Sequence, residues 1–180
     1  MATVAPQFPR ERIVHWDDPR ALAEAGRAMS GRDFLDAVLR GALPSPPICH
    51  LVDFTFERID DGRVEMVLTP QESQYNPIGS VHGGIIATVL DSAMGCAVHT
   101  KLPRGRAYTT LEIKVNYLRG VNRETGKMLA VGWVVHLGRQ TAMAEASLCD
   151  ARGKLFAQAS TTCLIFDVPG QSVPALNTDR

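Results

Sequence analysis

From Arg63 to Thr69 polar and apolar residues alternate: Val64, Met66 and Leu68 share one face of an extended chain, and Arg63, Glu65, Val67 and Thr69 the other. A period of two predicts a strand. Upstream, LVDFTFERI from Leu51 places Val52, Phe54 and Ile59 in a less regular alternation and stops at Asp60-Asp61-Gly62, so the two segments read as a hairpin. From His82 the pattern changes. Between Gly83 and Val98 there is no Lys, Arg, Glu or Pro, and the run of Ala, Leu and Met is too long for a strand, which predicts a helix that is apolar on all sides. Three or four further strands follow. In TTLEIKVNYLRG, Leu111, Ile113, Val115 and Tyr117 are expected on one face and Glu112, Lys114 and Asn116 on the other. KMLAVGWVVHLG, TAMAEASLCD and KLFAQASTTCLIF complete the set, the last two joined by an Asp150-Ala151-Arg152-Gly153 turn.

The chain before Leu51 is different in kind. Asp18 followed by Pro19 is a helix start, an acceptor side chain preceding a residue whose φ is already helical. Ser30-Gly31-Arg32-Asp33 reads as a break and a second cap, after which Phe34, Leu35, Val38 and Leu39 recur at helical spacing up to Gly41. LPSPP then reads as a linker. The expected organisation is an N-terminal extension over residues 1–45 with one or two helices, a main domain over 46–166, and a frayed tail over 167–180. Two strands, one apolar helix and a long antiparallel run make the class α+β. A helix apolar all round must be covered, and a sheet of five or six strands curled around it supplies the cover.

Composition narrows the function classes. Of 180 residues, 45% are hydrophobic and 21% charged, and the formal net charge is zero, which argues against nucleic-acid or membrane-surface binding driven by bulk charge. No apolar run reaches the ~18–20 residues of a membrane span. The first residues lack a basic-then-apolar leader, and Cys49, Cys96, Cys149 and Cys163 are scattered without a C-x-x-C pair. Reduced, structural thiols in a cytoplasmic protein are the expectation, with no metal site and no cofactor.

The chemistry concentrates in residues 76–110. Each glycine inside a helix weakens it by about 1 kcal/mol, so Gly83-Gly84 needs a reason. One is close packing of the helix start. The other is that bare glycines let a ligand oxygen approach the unpaired N–H groups at the positive end of the helix dipole. Asp91 sits mid-helix, where an unpaired buried carboxylate costs several kcal/mol. It lies eight residues past Gly83, ~12 Å along the axis, so the two cannot serve one substrate atom within a single helix. If they cooperate, a second copy of the helix must approach, and the site lies at a dimer interface. His82 is either a cap for the helix or part of the site, and Asn76 before Pro77 is a turn opener.

The string N-P-x-G-x-x-H-G-G at residues 76–84, with the aspartate eight residues beyond the first glycine of the pair, resembles the acyl-CoA thioesterases of the hotdog fold, in particular the PaaI-like branch of the 4-hydroxybenzoyl-CoA thioesterase superfamily. The similarity covers about residues 46–166 and includes the G-R-Q-T step at Gly138–Thr141. It implies a sheet wrapped around the central helix, and the hydrolysis of an aryl- or medium-chain acyl-CoA. It implies Asp91 as general base or nucleophile, the Gly83 N–H as oxyanion donor, and His82 and Asn76 as residues that orient the carbonyl, leaving group or water. An assisting hydroxyl falls on Thr110, next to Thr109. Gly84, Ile85, Ile86, Val89 and Met94 are then expected against the substrate, and Arg139, Arg119 and Arg123 near the nucleotide phosphates. The resemblance also implies active sites shared by two subunits of a homodimer, assembled into a homotetramer.

Two other readings compete. A hotdog dehydratase or hydratase also uses a histidine and an acid near the central helix, but the His-Gly-Gly spacing before the aspartate suits it less well. A non-catalytic acyl-CoA sensor keeps the fold, commonly without the helix carboxylate, and here Asp91 is present.

Overall fold

In the computed structural model, which describes residues 10–170 and 174, the strand beginning at Arg63 is the inner wall of a six-stranded antiparallel sheet. Val64, Met66 and Leu68 of β2 (Arg63–Leu68) are completely buried. β2 pairs with β1 (Phe54–Asp60) through a turn in which Gly62 takes φ 73°, a left-handed value that glycine adopts without strain. Then come α4 (Gly83–Thr100), β3 (Arg106–Tyr117), β4 (Met128–Leu137), β5 (Thr141–Asp150) and β6 (Leu155–Asp167). The strand order is β1-β2-β4-β5-β6-β3, so β3 forms one edge. The sheet lies against α4, the arrangement the resemblance implies.

Small residues let the helix come close. Ala142, Ala144 and Ala146 of β5 and Ala157 and Ala159 of β6 are buried under it. On β4, a Cβ added at Gly132 would lie 2.4 Å from the backbone carbonyl of Ala93 in α4. Leu90, Ala93, Met94, Ala97 and Val98 fill the space between helix and sheet. Each such large aliphatic side chain contributes about 1.5–3 kcal/mol by leaving water.

The extension is helical as expected. α1 (Pro19–Ala28) is capped by Asp18, which accepts from the Arg20 N–H, and α2 (Gly31–Leu39) by Ser30, which accepts from the Asp33 N–H. α2 is clamped to the far end of α4: the Gly31 N–H donates to the Leu102 carbonyl at 3.0 Å, and a Cβ at Gly31 would sit 1.9 Å from the His99 carbonyl oxygen.

Several expectations fail locally, among them the linker expected at Pro46-Pro47. Leu51 and Val52 do not open the first strand. They end a short helix, α3 (Pro47–Val52), which begins on a proline and stops where Asp53 turns left-handed at φ 67°. The irregular alternation in β1 has a cause: a bulge between Phe56 and Arg58 shifts the phase, so Ile59 is buried. Leu111 does not face inward with Ile113 and Val115. A second bulge, between Thr110 and Glu112, leaves it 58% exposed. β6 runs to Asp167, one residue into the segment expected to fray, and the tail from 171 onward, apart from 174, lies outside the described residues, as do residues 1–9. No described helix is long and apolar enough to cross a membrane.

Candidate active site

The start of α4 is a capped helix with one donor left over. His82 is the N-cap, and its Nδ1 accepts the Gly84 N–H at 2.9 Å. With Nδ1 accepting, Nε2 is the ring nitrogen left to donate. The Ile85 N–H goes to the His82 carbonyl, whereas the Gly83 N–H has no acceptor among the described residues. The Gly83 carbonyl accepts from the hydroxyl of Tyr117 at 2.9 Å, and that ring lies where a Cβ at Gly83 would come, 3.2 Å away. The glycine thus serves both close packing and an open donor.

Asn76 is engaged in its own turn. Its Oδ1 accepts from the backbone N–H groups of Ile78 and Ser80, both at 3.1 Å, and its Nδ2 donates to Ser80 Oγ. In this way it fixes the 76–80 turn that delivers the chain to Gly83. A cavity of about 290 Å³ opens beside that turn, between Asn76, Ser80 and Gly83 on one side and Tyr117 and Arg119 on the other.

Two helical turns on, Asp91 is half-buried on the α4 side that faces β3. Thr110 donates to its Oδ1 at 2.9 Å, the one hydrogen bond the carboxylate receives among the described residues. No Lys, Arg or His there pairs with it. The bulge after Thr110 has a use here, because it turns this hydroxyl toward the helix while Thr109 stays exposed. The surroundings are inert. Burial, followed by the proximity of Cys49 and Asp91, pushes the Cys96 thiol up to about 12, too high for a nucleophile. Burial first, then Cys96, Cys163 and Asp91, raises the Tyr108 phenol well above its usual range. The arrangement offers one carboxylate oriented by a hydroxyl and, ~12 Å along the same helix, one free N–H.

The other expected positions separate. Gly84 is exposed and Ile85 half-buried at the helix start, whereas Ile86 is buried there. Val89 and Met94 have no exposed surface and belong to the core between helix and sheet. Arg139 stands exposed in the β4–β5 turn. Arg119 is tied to the Leu155 carbonyl, and the Arg123 N–H donates to Tyr75. Tyr117 was missed by sequence reading: its alternation with Val115 suggested packing alone.

A family model described as the thioesterase superfamily matches residues 78–157, the span that holds both Gly83 and Asp91. A protein of Halobacterium salinarum described as a candidate esterase is 31% identical over 127 residues, 67% of this chain and 82% of that protein. The chain belongs to the thioesterase superfamily. As a member it is a thioester hydrolase, and Asp91, Thr110 and Gly83 are its candidate machinery. The 1,4-dihydroxy-2-naphthoyl-CoA hydrolase of Listeria monocytogenes is 24% identical over 97 residues, 54% of this thioesterase and 77% of that enzyme. Among solved structures, a candidate thioesterase related to phenylacetic acid degradation, from Ralstonia eutropha, superposes with a TM-score of 0.66 at 26% identity, covering 72% of this thioesterase and 97% of that chain.

Proposed function

We propose that this thioesterase is of the PaaI-like branch and hydrolyses aryl- or medium-chain acyl-CoA to the free acid and CoA, at sites shared between two protomers. The observation that carries this reading is Asp91: a half-buried carboxylate with no cation paired to it among the described residues, steered by the Thr110 hydroxyl. The Listeria relative acts on an aryl-CoA, which supports the substrate class.

Asp91 takes a proton from water, the hydroxide adds to the thioester carbonyl, and negative charge develops on the carbonyl oxygen. The Gly83 N–H of the second protomer receives that charge; losing one such donor typically costs ~10²–10³ in rate. The tetrahedral species collapses, the C–S bond breaks, and the proton held by Asp91 passes to the departing thiolate. Should Asp91 instead attack the carbonyl directly, water then hydrolyses the anhydride at the same place. The His82 Nε2–H is free to hydrogen-bond the thioester or the water, and Asn76 acts through the turn it fixes.

If Asp91 and the Gly83 N–H act on one carbonyl, distance requires a dimer. Asp91 and Gly83 of one helix cannot meet on one carbonyl, and β3 is an edge strand with exposed Leu111 and Tyr117, suited to meeting its own copy. Two such dimers form the homotetramer. Incubation with a panel of acyl-CoAs, following free thiol, tests the reaction. The reading requires release by the wild type and, with substrate still bound, loss of release in Asp91→Asn. Intact thioester after prolonged incubation would instead favour a dehydratase or a sensor.

A further inference from the structure

Beyond Asp91, α4 and β3 close on each other. Asp91, Gly95 and His99 follow one another at four-residue spacing on a single helix face. On β3, Thr110 and Tyr108 are two residues apart and point to the same side. The strand therefore sets two rungs against the helix: the Thr110 hydroxyl on Asp91 and, one turn further, the Tyr108 ring on Gly95. The fit at the second rung is close. A Cβ at Gly95 would stand 2.6 Å from the Tyr108 hydroxyl oxygen, so the missing side chain of the helix is replaced by the phenol of the strand.

Behind Tyr108 the stack goes on. Its ring lies 5.6 Å from that of His99, tilted by 53°, and His99 lies 5.7 Å from Phe34, tilted by 49°. Both spacings are those of favourable edge-to-face contacts. Phe34 comes from α2, the helix clamped to α4 at Gly31, and α1 backs it where a Cβ at Gly26 would lie 3.4 Å from the Phe34 ring. The N-terminal extension thus ends its contact with the main domain on a row of rings that leads to the candidate carboxylate.

A substrate whose carbonyl sits at Asp91 has two ways to run along the helix. CoA carries phosphates and a nucleotide and must leave toward solvent, which is the Thr88–Gly84 end, where the helix is half-exposed to exposed. The acyl group is left with the other direction and meets Tyr108 after one turn, ~6 Å along the axis. One helical turn is about the reach of one aromatic ring or of a chain at the short end of the medium range, and a longer chain would run into the Tyr108 ring.

We propose that Tyr108, seated on Gly95 and backed by His99 and Phe34 of the appended α2, is the floor of the acyl pocket and sets the upper length of the acyl group. This rests on the reading that Asp91 marks the scissile carbonyl. The extension then determines specificity by holding the floor in place.

The test compares kcat/KM for straight-chain acyl-CoAs from acetyl to palmitoyl, with benzoyl- and phenylacetyl-CoA, in wild type, Tyr108→Ala, Tyr108→Phe and Phe34→Ala, with melting curves for each. Wild type should favour single-ring acyl groups and chains up to the short end of the medium range, and fall steeply beyond them. Since each methylene admitted to or refused by an apolar pocket is worth roughly tenfold or more, Tyr108→Ala should raise the decanoyl-to-butyryl ratio at least about tenfold, and Phe34→Ala should move it the same way by less. Tyr108→Phe keeps the ring and should keep the wild-type profile. Should Tyr108→Ala fail to fold, the Phe34→Ala profile decides. A wild type that prefers palmitoyl-CoA, or folded variants with an unchanged profile, would overturn the floor while leaving the hydrolase intact. Absence of thiol release from every substrate, or full activity in Asp91→Asn, would instead remove the reading beneath it.

Discussion

Replacing Thr110 by valine removes one oxygen next to Asp91 and almost nothing else, since the two side chains have nearly the same shape. The lost contact is the 2.9 Å bond to Oδ1, the only hydrogen bond that steers this carboxylate among the described residues. A hydrogen bond to a charged partner contributes about 1.5–3 kcal/mol, and at about 1.4 kcal/mol per factor of ten its loss lowers kcat/KM roughly 10- to 150-fold if Asp91 must be held in one orientation to act. Thr110→Ser keeps the hydroxyl and should stay near wild type. Thr109→Val, on the exposed neighbour, should change little. Free-thiol release from one acyl-CoA measures all three. A cycle with Asp91→Asn adds a second check, because a hydroxyl that works only through the carboxylate has no effect once the carboxylate is gone. Thr110→Val with unchanged kcat/KM, or a further loss in the double variant equal to that of the single one, would refute the coupling.

Two predictions concern the scaffold. Gly132→Ala puts a methyl group 2.4 Å from the α4 backbone, where no side chain can swing away, and overpacking of this kind costs about 1–3 kcal/mol or more; a thermal melt should fall by several degrees, and an unchanged midpoint would mean that helix and sheet are less tightly joined than described. Burial holds His99 down at about 4, against its ordinary 6.5. The unfolded chain then takes up a proton before the folded one does, so stability is whole above pH 6.5, declines as pH falls toward 4 and levels below it. The loss is on the order of 3 kcal/mol at most. Urea midpoints at pH 7 and pH 5 should separate for wild type and draw together in His99→Gln; equal separation in both would show that other groups carry the acid sensitivity.

How much of this the sequence carried depended on whether a pattern had a readable phase. β2 alternates cleanly and is as expected, and the caps at Asp18 and Ser30 act where their spacing put them. β1 and β3 were blurred by bulges, since one inserted residue flips every side chain after it and a count of alternate positions cannot show where the insertion falls. Leu111 was misplaced for that reason, and the same bulge gives Thr110 its aim. Val89 and Met94 were expected against substrate because a helix apolar on every side has no face to read. The deciding information sits elsewhere, in Gly132 and in the alanines of β5 and β6, which draw one side of α4 into the core. Pro46-Pro47 looked like a linker but starts a helix. The glycine pair and the lone aspartate were legible because each breaks a local rule, which is where chemistry tends to show.

The most direct test of the central claim pairs two inactive variants. Gly83→Pro removes the N–H and adds a ring at the first helical position, where proline fits; His82, with φ −59° and ψ 135°, already has the backbone a residue before proline prefers, and Tyr117 must yield by a few tenths of an ångström. Asp91→Asn deletes the base. Each homodimer lacks activity at both sites. In a mixed dimer built from the two, one site carries both lesions and the other neither, so random pairing should restore about a quarter of the wild-type activity. Co-expression of the two chains, with thiol release measured on the purified mixture, reads this out. Recovery near that level is the result predicted for an acid and an amide supplied by different protomers; a mixture no more active than its parents would contradict it.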